Sequence, residues 1–483
     1  MIKDSWVRVV IFALIISFSS FIIMIAIWVR KTFGDVSSEQ LVFALSFPLM
    51  QTDDRIMFSF LKRVFVAFWV FFLIIAIWLF NKYKETLKPL IKRFFYLLLT
   101  HKIKLSCCFF ILSLIIANQK LHILDILNMQ SKTYSNFYEE HYTFLNTLDD
   151  PHKKRNLILI TAESMESTYY NMGGGGDYLI PNLYNLTQKH INFSSTNNIG
   201  GFKQVGSTGW TIAGMIAQQC GIPLRIPIGG NDFTFSKTFL KNITCLSDIL
   251  KSKNYKQLII MGSDSTFAGK NHFFNTHNIE VRDINYFKKH KLLPKDYKVN
   301  WGFEDKKVFE FAKQFLQTNA QYPFALQILT ANTHSPGYSD ANCNITQNVY
   351  KNSIICSDKE IYEFISWVKK QDFYKNTTIV LLGDHLTMQQ NFFDEGTNNR
   401  EVFNVFINTA WKNKNVERIK NRKFSHFDMF PTILSALGFN VNKIGLGVNL
   451  MSKEKTLIEA LGEDDLNTNL NLNSRLYESF WLD

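Results

Sequence analysis

Apolar residues form long uncharged runs near the beginning of the chain and short runs further along. The long runs cover residues 9–29, 64–80 and 105–117. About 20 apolar residues span the hydrocarbon core of a bilayer, and flanking lysines can extend a shorter run by reaching the interface. We therefore predict about three transmembrane helices in a membrane domain of residues 1–118.

After residue 156, apolar runs with the length of strands alternate with helical patterns. The strand-like runs cover 156–162, 257–262, 323–330, 377–383 and 402–408, and the helical patterns lie near 208–219, 245–254, 303–318, 357–371 and 427–437. This alternation is typical of an α/β fold with a mostly parallel sheet flanked by helices. We predict such a domain over 156–450, preceded by an amphipathic connector, 119–155, and followed by a C-terminal tail, 451–483.

Charge indicates the orientation of the membrane domain. The net charge of the chain is +12, and residues 1–118 contain 14 Lys/Arg against 6 Asp/Glu. Because most of the excess belongs to the membrane domain, a nucleic-acid partner is a poor explanation for it. Seven basic residues lie between Lys82 and Lys104, which predicts that this loop is cytoplasmic. Everything after about residue 120 would then be outside the cytoplasm.

The cysteines agree with export of the second domain. Cys107 and Cys108 lie in the third apolar run, whereas the other four lie beyond residue 200. An even number of cysteines in an oxidising compartment favours disulfides. Three pairings are possible, of which Cys220–Cys245 with Cys343–Cys356 closes the shortest loops; four unpaired thiols are the alternative.

Polar residues follow the predicted strands where each strand ends. Glu163 follows the first run, His334 follows FALQILT, and the pair Asp384-His385 follows TTIVLL and Gly383. A fourth polar segment, containing Thr208, precedes a predicted helix, where a hydroxyl is usually a cap and can also be a nucleophile. Each feature alone is weak, but the carboxyl ends of parallel strands form one edge, where ligands bind. Together they predict a metal-assisted nucleophilic site.

Several segments between residues 155 and 450 resemble the alkaline phosphatase/sulfatase superfamily, in its membrane-anchored phosphoglycerol and phosphoethanolamine transferase branch. The most specific is STGWTIAGMIAQQCGIPL at 207–224. The others are TCLSDIL (244–250), FAGK (267–270), NWGFED (300–305), TANTHSPGY (330–338), GDHLTM (383–388) and GLG (445–447).

The resemblance implies roles for six residues. Glu163, Thr208, Asp384 and His385 would bind one divalent cation, for which Mn²⁺ fits this ligand set best and Zn²⁺ or Mg²⁺ are alternatives. Thr208 would be the nucleophile, with Thr211 as its rival. His334 would contact the phosphate, and Lys270 would lie near the glycerophosphate.

The resemblance also implies a reaction and a location. A glycerophosphate group would pass from phosphatidylglycerol to a periplasmic glucan or related glycan through a covalent phospho-threonine, releasing diacylglycerol. The enzyme would be a multi-pass protein of the inner membrane with its catalytic domain in the periplasm. Transfer of phosphoethanolamine to lipid A or another envelope glycan is the alternative, followed by a non-catalytic envelope scaffold. Sulfatase activity is not expected, because Cys220-Gly-Ile-Pro-Leu-Arg225 is one residue longer than the motif Cys-x-Pro/Ala-x-Arg.

Overall fold

The computed structural model of this 483-residue chain describes residues 2–34, 36–45, 54–83, 102–128, 133–145, 147–171, 178–225, 239–319, 323–389, 392–393, 397, 399–411 and 419–481. The described residues form two compact units. One includes the residues up to Leu41 and those between Thr52 and Met129, and the other includes those between Val42 and Gln51 and those from Gln130 onward.

The first unit is helical. Its described helices are Ile2–Phe33, Asp54–Tyr83, Lys102–Leu121 and Ile123–Asn128, and it includes the first half of the helix Ser38–Leu45. Three of them contain segments long and apolar enough to cross a membrane, Val9–Phe33, Ile56–Leu79 and Ile103–Leu121, at the three apolar runs of the sequence. The Ser17 hydroxyl donates a hydrogen bond of 2.6 Å to the Ala67 carbonyl and so joins the first two of these helices. Most of the basic loop between Lys82 and Lys104 lies outside the described residues.

The second unit contains a seven-stranded sheet with the order β2-β7-β6-β1-β5-β3-β4. Strands β1, β3, β4, β5 and β6 are parallel, and β7 runs antiparallel to β6. In chain order the strands are β1 Asn156–Ala162, β2 Gly201–Phe202, β3 Lys256–Met261, β4 Glu280–Arg282, β5 Phe324–Leu329, β6 Thr377–Gly383 and β7 Val402–Ile407, and a separate pair consists of β8 Lys443–Ile444 and β9 Gly447–Val448. The predicted α/β class with a mostly parallel sheet is confirmed.

Helices cover both faces of the sheet, which explains why its central strands are apolar throughout. On β1, Ile158 and Ile160 belong to a core cluster on one face, and Leu157 and Leu159 belong to a cluster on the other. The helices of this unit are Phe137–His141, Pro181–Lys189, Thr211–Cys220, Leu246–Ser252, Lys270–Thr276, Ile284–Lys289, Asp305–Asn319, Val349–Val368, Met429–Ala436, Leu457–Leu461, Glu463–Leu470 and Arg475–Ser479.

Residues 451–483 differ from the expected tail. They contain three short helices, and Leu466, Leu470 and Tyr477 are buried in the same core cluster as Ile212 and Met215. Apolar side chains at these positions pack against the helix Thr211–Cys220 instead of facing solvent. This segment therefore belongs to the compact unit that contains the sheet. A second difference is the helix predicted at 357–371, which begins earlier, at Val349.

The four cysteines of the second unit form the two disulfides with the shortest loops, Cys220–Cys245 and Cys343–Cys356. The first joins the end of the helix Thr211–Cys220 to the residue that caps the helix Leu246–Ser252. Cys107 and Cys108 are free and exposed.

Candidate active site

The polar ends of three neighbouring strands meet at one edge of the sheet. Strand β1 lies between β5 and β6 and is parallel to both. Because Ala162 pairs with Gly383, the next residues of the two strands, Glu163 and Asp384, lie side by side. The topology thus gathers groups that are more than 200 positions apart in the sequence.

Glu163, Asp384 and His385 form a buried cluster at this edge. One ligand atom from each lies within 4.8 Å of the others, and all three side chains are almost completely buried. The Nε2 atom of His385 is 3.4 Å from Glu163 Oε1 and 3.4 Å from Asp384 Oδ2. Two carboxylates and an imidazole in this arrangement are a ligand set for a divalent cation.

Two atoms of the cluster lack a hydrogen-bond partner in the described part of the chain, as expected of a cation site. Asp384 Oδ2 and His385 Nε2 are both buried and unpartnered. The other ring nitrogen, Nδ1, lies 2.8 Å from the Leu386 carbonyl, so that a proton on Nδ1 leaves the Nε2 lone pair facing the carboxylates. A buried polar atom without a partner is costly. The residues present therefore fit a cation.

The electrostatics of the cluster lead to the same conclusion. Burial and the negative charge of Glu163 raise the pKa of Asp384 well above its usual range. Burial works against a charged imidazole, yet Asp384 and Glu163 together raise the pKa of His385. Positive charge is thus favoured among these groups, and a bound cation would supply it without a proton.

Hydrogen bonds from neighbouring loops fix the backbone of Glu163. Its N–H donates to Thr330 Oγ1 at 3.0 Å, and the Thr333 hydroxyl donates to its carbonyl. The N–H of Ser164 donates to Asp384 Oδ1 at 2.7 Å, and its hydroxyl donates to Glu163 Oε1 at 2.8 Å. No role had been predicted for Thr330, Thr333 and Ser164. Their position directly after a buried strand was the only feature of the sequence that could have indicated a place at the site.

A helix begins at the cluster and places a hydroxyl on it. Thr211 is the first residue of the helix Thr211–Cys220, and its hydroxyl donates to Glu163 Oε2 at 3.0 Å. The helix packs closely on the end of β6, because Gly214 lies against the Asp384 carbonyl and Gln218 donates to the Gly383 carbonyl at 2.7 Å. The first turn of this helix therefore faces the carboxylates.

The structure does not bring Thr208 to this cluster in the way the resemblance implied. Thr208 is completely buried, and its hydroxyl donates to the Val205 carbonyl at 2.7 Å, which closes a turn before the helix. Thr211, three positions later, makes the carboxylate contact instead. The assignment of Thr208 as nucleophile and cation ligand, with Thr211 as its rival, stays a prediction.

Lys270, the first residue of the helix Lys270–Thr276, and His334, in the loop after β5, lie near the cluster. Lys270 is buried, its ammonium donates to the Phe267 carbonyl at 2.7 Å, and burial lowers its pKa to about 8. His334 is partly buried, and its ring centroid lies 4.3 Å from that of Trp301. No role was predicted for Trp301, whose indole nitrogen is buried and has no hydrogen-bond partner among the described residues.

The family of this chain follows from a comparison with known protein families. The model of the sulfatase family matches residues 155–439, which is more than half of the chain. The chain belongs to the sulfatase family. Within that family it has no free thiol at Cys220 for conversion to formylglycine, because Cys220 is in a disulfide.

Curated relatives of this sulfatase-family chain include two phosphoglycerol transferases I. The one from Salmonella agona is 33% identical over 313 residues, covering 62% of this chain and 40% of that protein. The one from Escherichia coli is 31% identical over 360 residues, covering 69% and 45%. The chain thus spans less than half the length of these relatives. A lipoteichoic acid synthase from Listeria monocytogenes has the same fold, with a TM-score of 0.50, 17% identity, and coverage of 65% of this chain and 80% of that one.

Proposed function

We propose that this sulfatase-family protein transfers glycerophosphate from phosphatidylglycerol to a periplasmic glucan or related glycan through a covalent phospho-threonine. The observation that supports this proposal most directly is the Thr211 hydroxyl, 3.0 Å from Glu163 Oε2 at the first turn of a helix. A second support is the similarity to phosphoglycerol transferases I. We propose Thr211, not Thr208, as the nucleophile.

The surroundings of Thr211 suit attack on a phosphodiester. Hydrogen-bond donors at a helix N-terminus, together with the helix dipole, stabilise an anionic group. Glu163 accepts the hydrogen bond of the Thr211 hydroxyl and so orients the oxygen. A bound divalent cation, with Mn²⁺ as our first choice, would lower the pKa of that hydroxyl and offset charge on the phosphoryl oxygens. Glu163, Asp384 and His385 would hold it.

Two displacements at phosphorus complete the reaction. In the first, Thr211 Oγ loses its proton and bonds to phosphorus, while the bond between phosphorus and the diacylglycerol oxygen breaks and that oxygen gains a proton. In the second, an acceptor hydroxyl loses its proton and bonds to phosphorus, and Thr211 Oγ leaves and is reprotonated. Diacylglycerol and the glycerophosphorylated acceptor are the products.

Lys270 and His334 would act on the transferred group. Lys270 lies near enough to Glu163 for the carboxylate to act on its pKa, and its ammonium has only one hydrogen-bond acceptor in the described structure, the Phe267 carbonyl. Its remaining N–H groups can donate to phosphoryl oxygens. We propose that His334, beside Trp301 at the same sheet edge, also donates to the phosphate. Both residues would stabilise charge in the transition state.

We further propose that the protein lies in the inner membrane, with the sheet-containing unit in the periplasm. The three apolar helices and the basic loop between Lys82 and Lys104 support this orientation. The two disulfides support an oxidising compartment for the second unit. The donor lipid would then be present in the same membrane.

The deciding experiment is to trap the covalent adduct and locate it. The purified full-length chain is incubated with phosphatidylglycerol and Mn²⁺ without an acceptor, and its peptides are analysed by mass spectrometry. We expect glycerophosphate on Thr211, no adduct in Thr211→Ala, and an adduct in Thr211→Ser, which retains a hydroxyl. Thr208→Ala serves as the comparison, since the Thr208 hydroxyl bonds only the Val205 carbonyl among described residues.

Each possible outcome has a distinct meaning. An adduct on Thr208, or full adduct formation in Thr211→Ala, would reject Thr211 as the nucleophile. A phosphoethanolamine increment formed only from phosphatidylethanolamine would replace the proposed donor with the alternative one. A folded, metal-loaded chain that forms no adduct with either lipid would favour the scaffold.

A further inference from the structure

A polar cleft of about 870 Å³ is lined by residues that follow Glu163 in the chain and by residues that precede β7. This volume falls within the range of roughly 300–1,000 Å³ that is common for small-molecule sites. Its walls consist mainly of hydroxyl and amide side chains with two tyrosine rings, and the residues used below are Ser167, Tyr170, Asn171, Tyr184, Asn198 and Asn399.

The cleft opens at the same sheet edge as the catalytic cluster. Because β7 is antiparallel to β6, β7 begins where β1, β5 and β6 end. The segment after Glu163 crosses this edge: Glu166 forms a β-bridge with Val402, and the Ser167 N–H donates to the Glu401 carbonyl at 2.9 Å. Ser167, on the cleft wall, is therefore only four residues from Glu163.

Two tyrosines form an aromatic surface in the cleft. The rings of Tyr170 and Tyr184 are stacked, with centroids 3.7 Å apart and an interplanar angle of 7°, and both remain partly exposed. Tyr178 lies against Tyr170 at 5.2 Å. The C–H faces of sugar rings pack well on aromatic side chains, since the face of an aromatic ring is apolar and electron-rich.

One buried group in the wall lacks a partner. The Ser167 side chain is only 8% exposed, and its hydroxyl makes no hydrogen bond to any residue that the structure describes. Buried hydroxyls normally have a partner. A ligand hydroxyl in the cleft would provide one.

Hydrogen bonds hold the loops of the wall in place. Lys420 donates to Asn192 Oδ1 at 3.1 Å and to the Asn198 carbonyl at 3.0 Å. The carboxylate of Glu401 accepts from the Gly201 N–H at 2.8 Å and lies 3.3 Å from the Lys203 ammonium. A preorganised wall lowers the cost of binding.

We propose that this cleft binds the acceptor oligosaccharide, whose sugar rings pack on Tyr170 and Tyr184 and whose hydroxyls bond Ser167 and the surrounding amides. This inference rests on the proposed transferase function, to which it adds the acceptor's place. An acceptor bound there has one end next to Glu163 and Thr211, where a terminal hydroxyl can take the phosphoryl group.

The test measures binding of a linear β-linked glucohexaose to the full-length protein in detergent, by titration calorimetry. We expect Tyr170→Ala to weaken binding roughly tenfold, equivalent to about 1.4 kcal/mol, whereas Tyr170→Phe keeps the ring and binds within about threefold of wild type. Ser167→Ala should weaken binding by about threefold to tenfold through loss of one hydrogen bond. Tyr286→Ala is the matched control, because Tyr286 stacks on His290 next to β4, at the opposite end of the sheet.

Adduct formation from phosphatidylglycerol is measured in the same wild-type preparation. If the adduct forms and glucohexaose does not bind, or if Tyr170→Ala and Ser167→Ala bind it as wild type does, the cleft proposal is overturned. If sn-glycerol 1-phosphate, a donor fragment, competes for the cleft and glucohexaose does not, the cleft belongs to the donor and the proposal also falls. If glucohexaose binds through Tyr170 but no adduct forms, the cleft stands and the transferase function fails.

Discussion

Gly214 controls how closely the helix Thr211–Cys220 approaches the carboxylates. A Cβ atom added at this position would lie 2.2 Å from the Asp384 carbonyl oxygen and 3.0 Å from its carbon. Both are backbone atoms at the end of β6, so they cannot turn aside as a flexible side chain would. Replacing Gly214 with alanine must therefore push the helix away from the sheet edge.

The size of the displacement follows from the contact distance. The added Cβ would lie 2.2 Å from the Asp384 carbonyl oxygen. For this distance to reach an ordinary contact of roughly 3.4 Å, the helix must withdraw by about 1 Å. The Thr211 hydroxyl, now 3.0 Å from Glu163 Oε2, would then lie beyond hydrogen-bond distance. A misplacement of about 1 Å can reduce a catalysed rate by about 100-fold.

The fold should survive this substitution. Alanine stabilises a helix by up to about 1 kcal/mol relative to glycine, whereas overpacking destabilises the folded state by about 1–3 kcal/mol. The net change is small beside the roughly 5–15 kcal/mol stability of a typical domain. We therefore expect Gly214→Ala to form the Thr211 adduct about 100-fold more slowly than wild type while its thermal midpoint falls by only a few degrees.

The assay follows adduct formation over time by intact-protein mass spectrometry. Gly206→Ala is the control, since a Cβ there meets nothing closer than Asn467 Oδ1 at 3.7 Å, and it should react at nearly the wild-type rate. If Gly214→Ala reacts within about threefold of wild type, the helix position does not govern the nucleophile, and the reasoning from this close contact is wrong.

Three further predictions concern the cation, a buried acid and a disulfide. Mn²⁺ at about 100 times its Kd should stabilise the wild-type chain by about 2.7 kcal/mol, seen as a higher thermal midpoint, and an equal rise in Asp384→Asn would exclude Asp384 as a ligand. Burial raises the pKa of Glu360 from 4.5 to about 8, so the folded state holds a proton that the unfolded state loses. Wild-type stability should therefore fall as pH rises from about 4.5 to 8, whereas Glu360→Gln should show a flatter profile in denaturant titrations. Replacing both Cys220 and Cys245 with alanine removes a disulfide between residues 25 positions apart. The free energy of unfolding should fall by about 3 kcal/mol; an unchanged denaturation midpoint would contradict this.

Much of the sheet could be predicted because its longer strands are mostly apolar. The runs at 156–162 and 377–383 coincide with β1 and β6, since strands buried on both faces contain few polar residues. Short elements such as β2 and β4 have no such pattern, because they contain only two and three residues. The order of the strands in the sheet could not be predicted from these runs either, since strand pairing depends on contacts between distant segments.

The cluster of Glu163, Asp384 and His385 was predictable for the same reason, whereas the threonine that contacts it was not. Glu163, Asp384 and His385 directly follow long apolar runs, so their place at a sheet edge follows from the runs themselves. Thr208 and Thr211 are three positions apart, and either could have begun the helix. Their contacts differ because the Thr208 hydroxyl donates to the Val205 carbonyl in the turn before the helix. Residue spacing does not indicate this hydrogen bond.

The alignment of β1 with β6 has a consequence for how the protein would acquire a cation. The cluster combines Glu163 with a pair 221 and 222 positions later, and Glu163 cannot meet that pair until both strands have joined the sheet. An unfolded or partly translocated chain therefore offers no complete chelating set, unlike a short motif with adjacent ligands. A cation at this cluster would be captured late in folding, so the ions available where the unit folds, rather than where the chain is synthesised, would decide which metal binds.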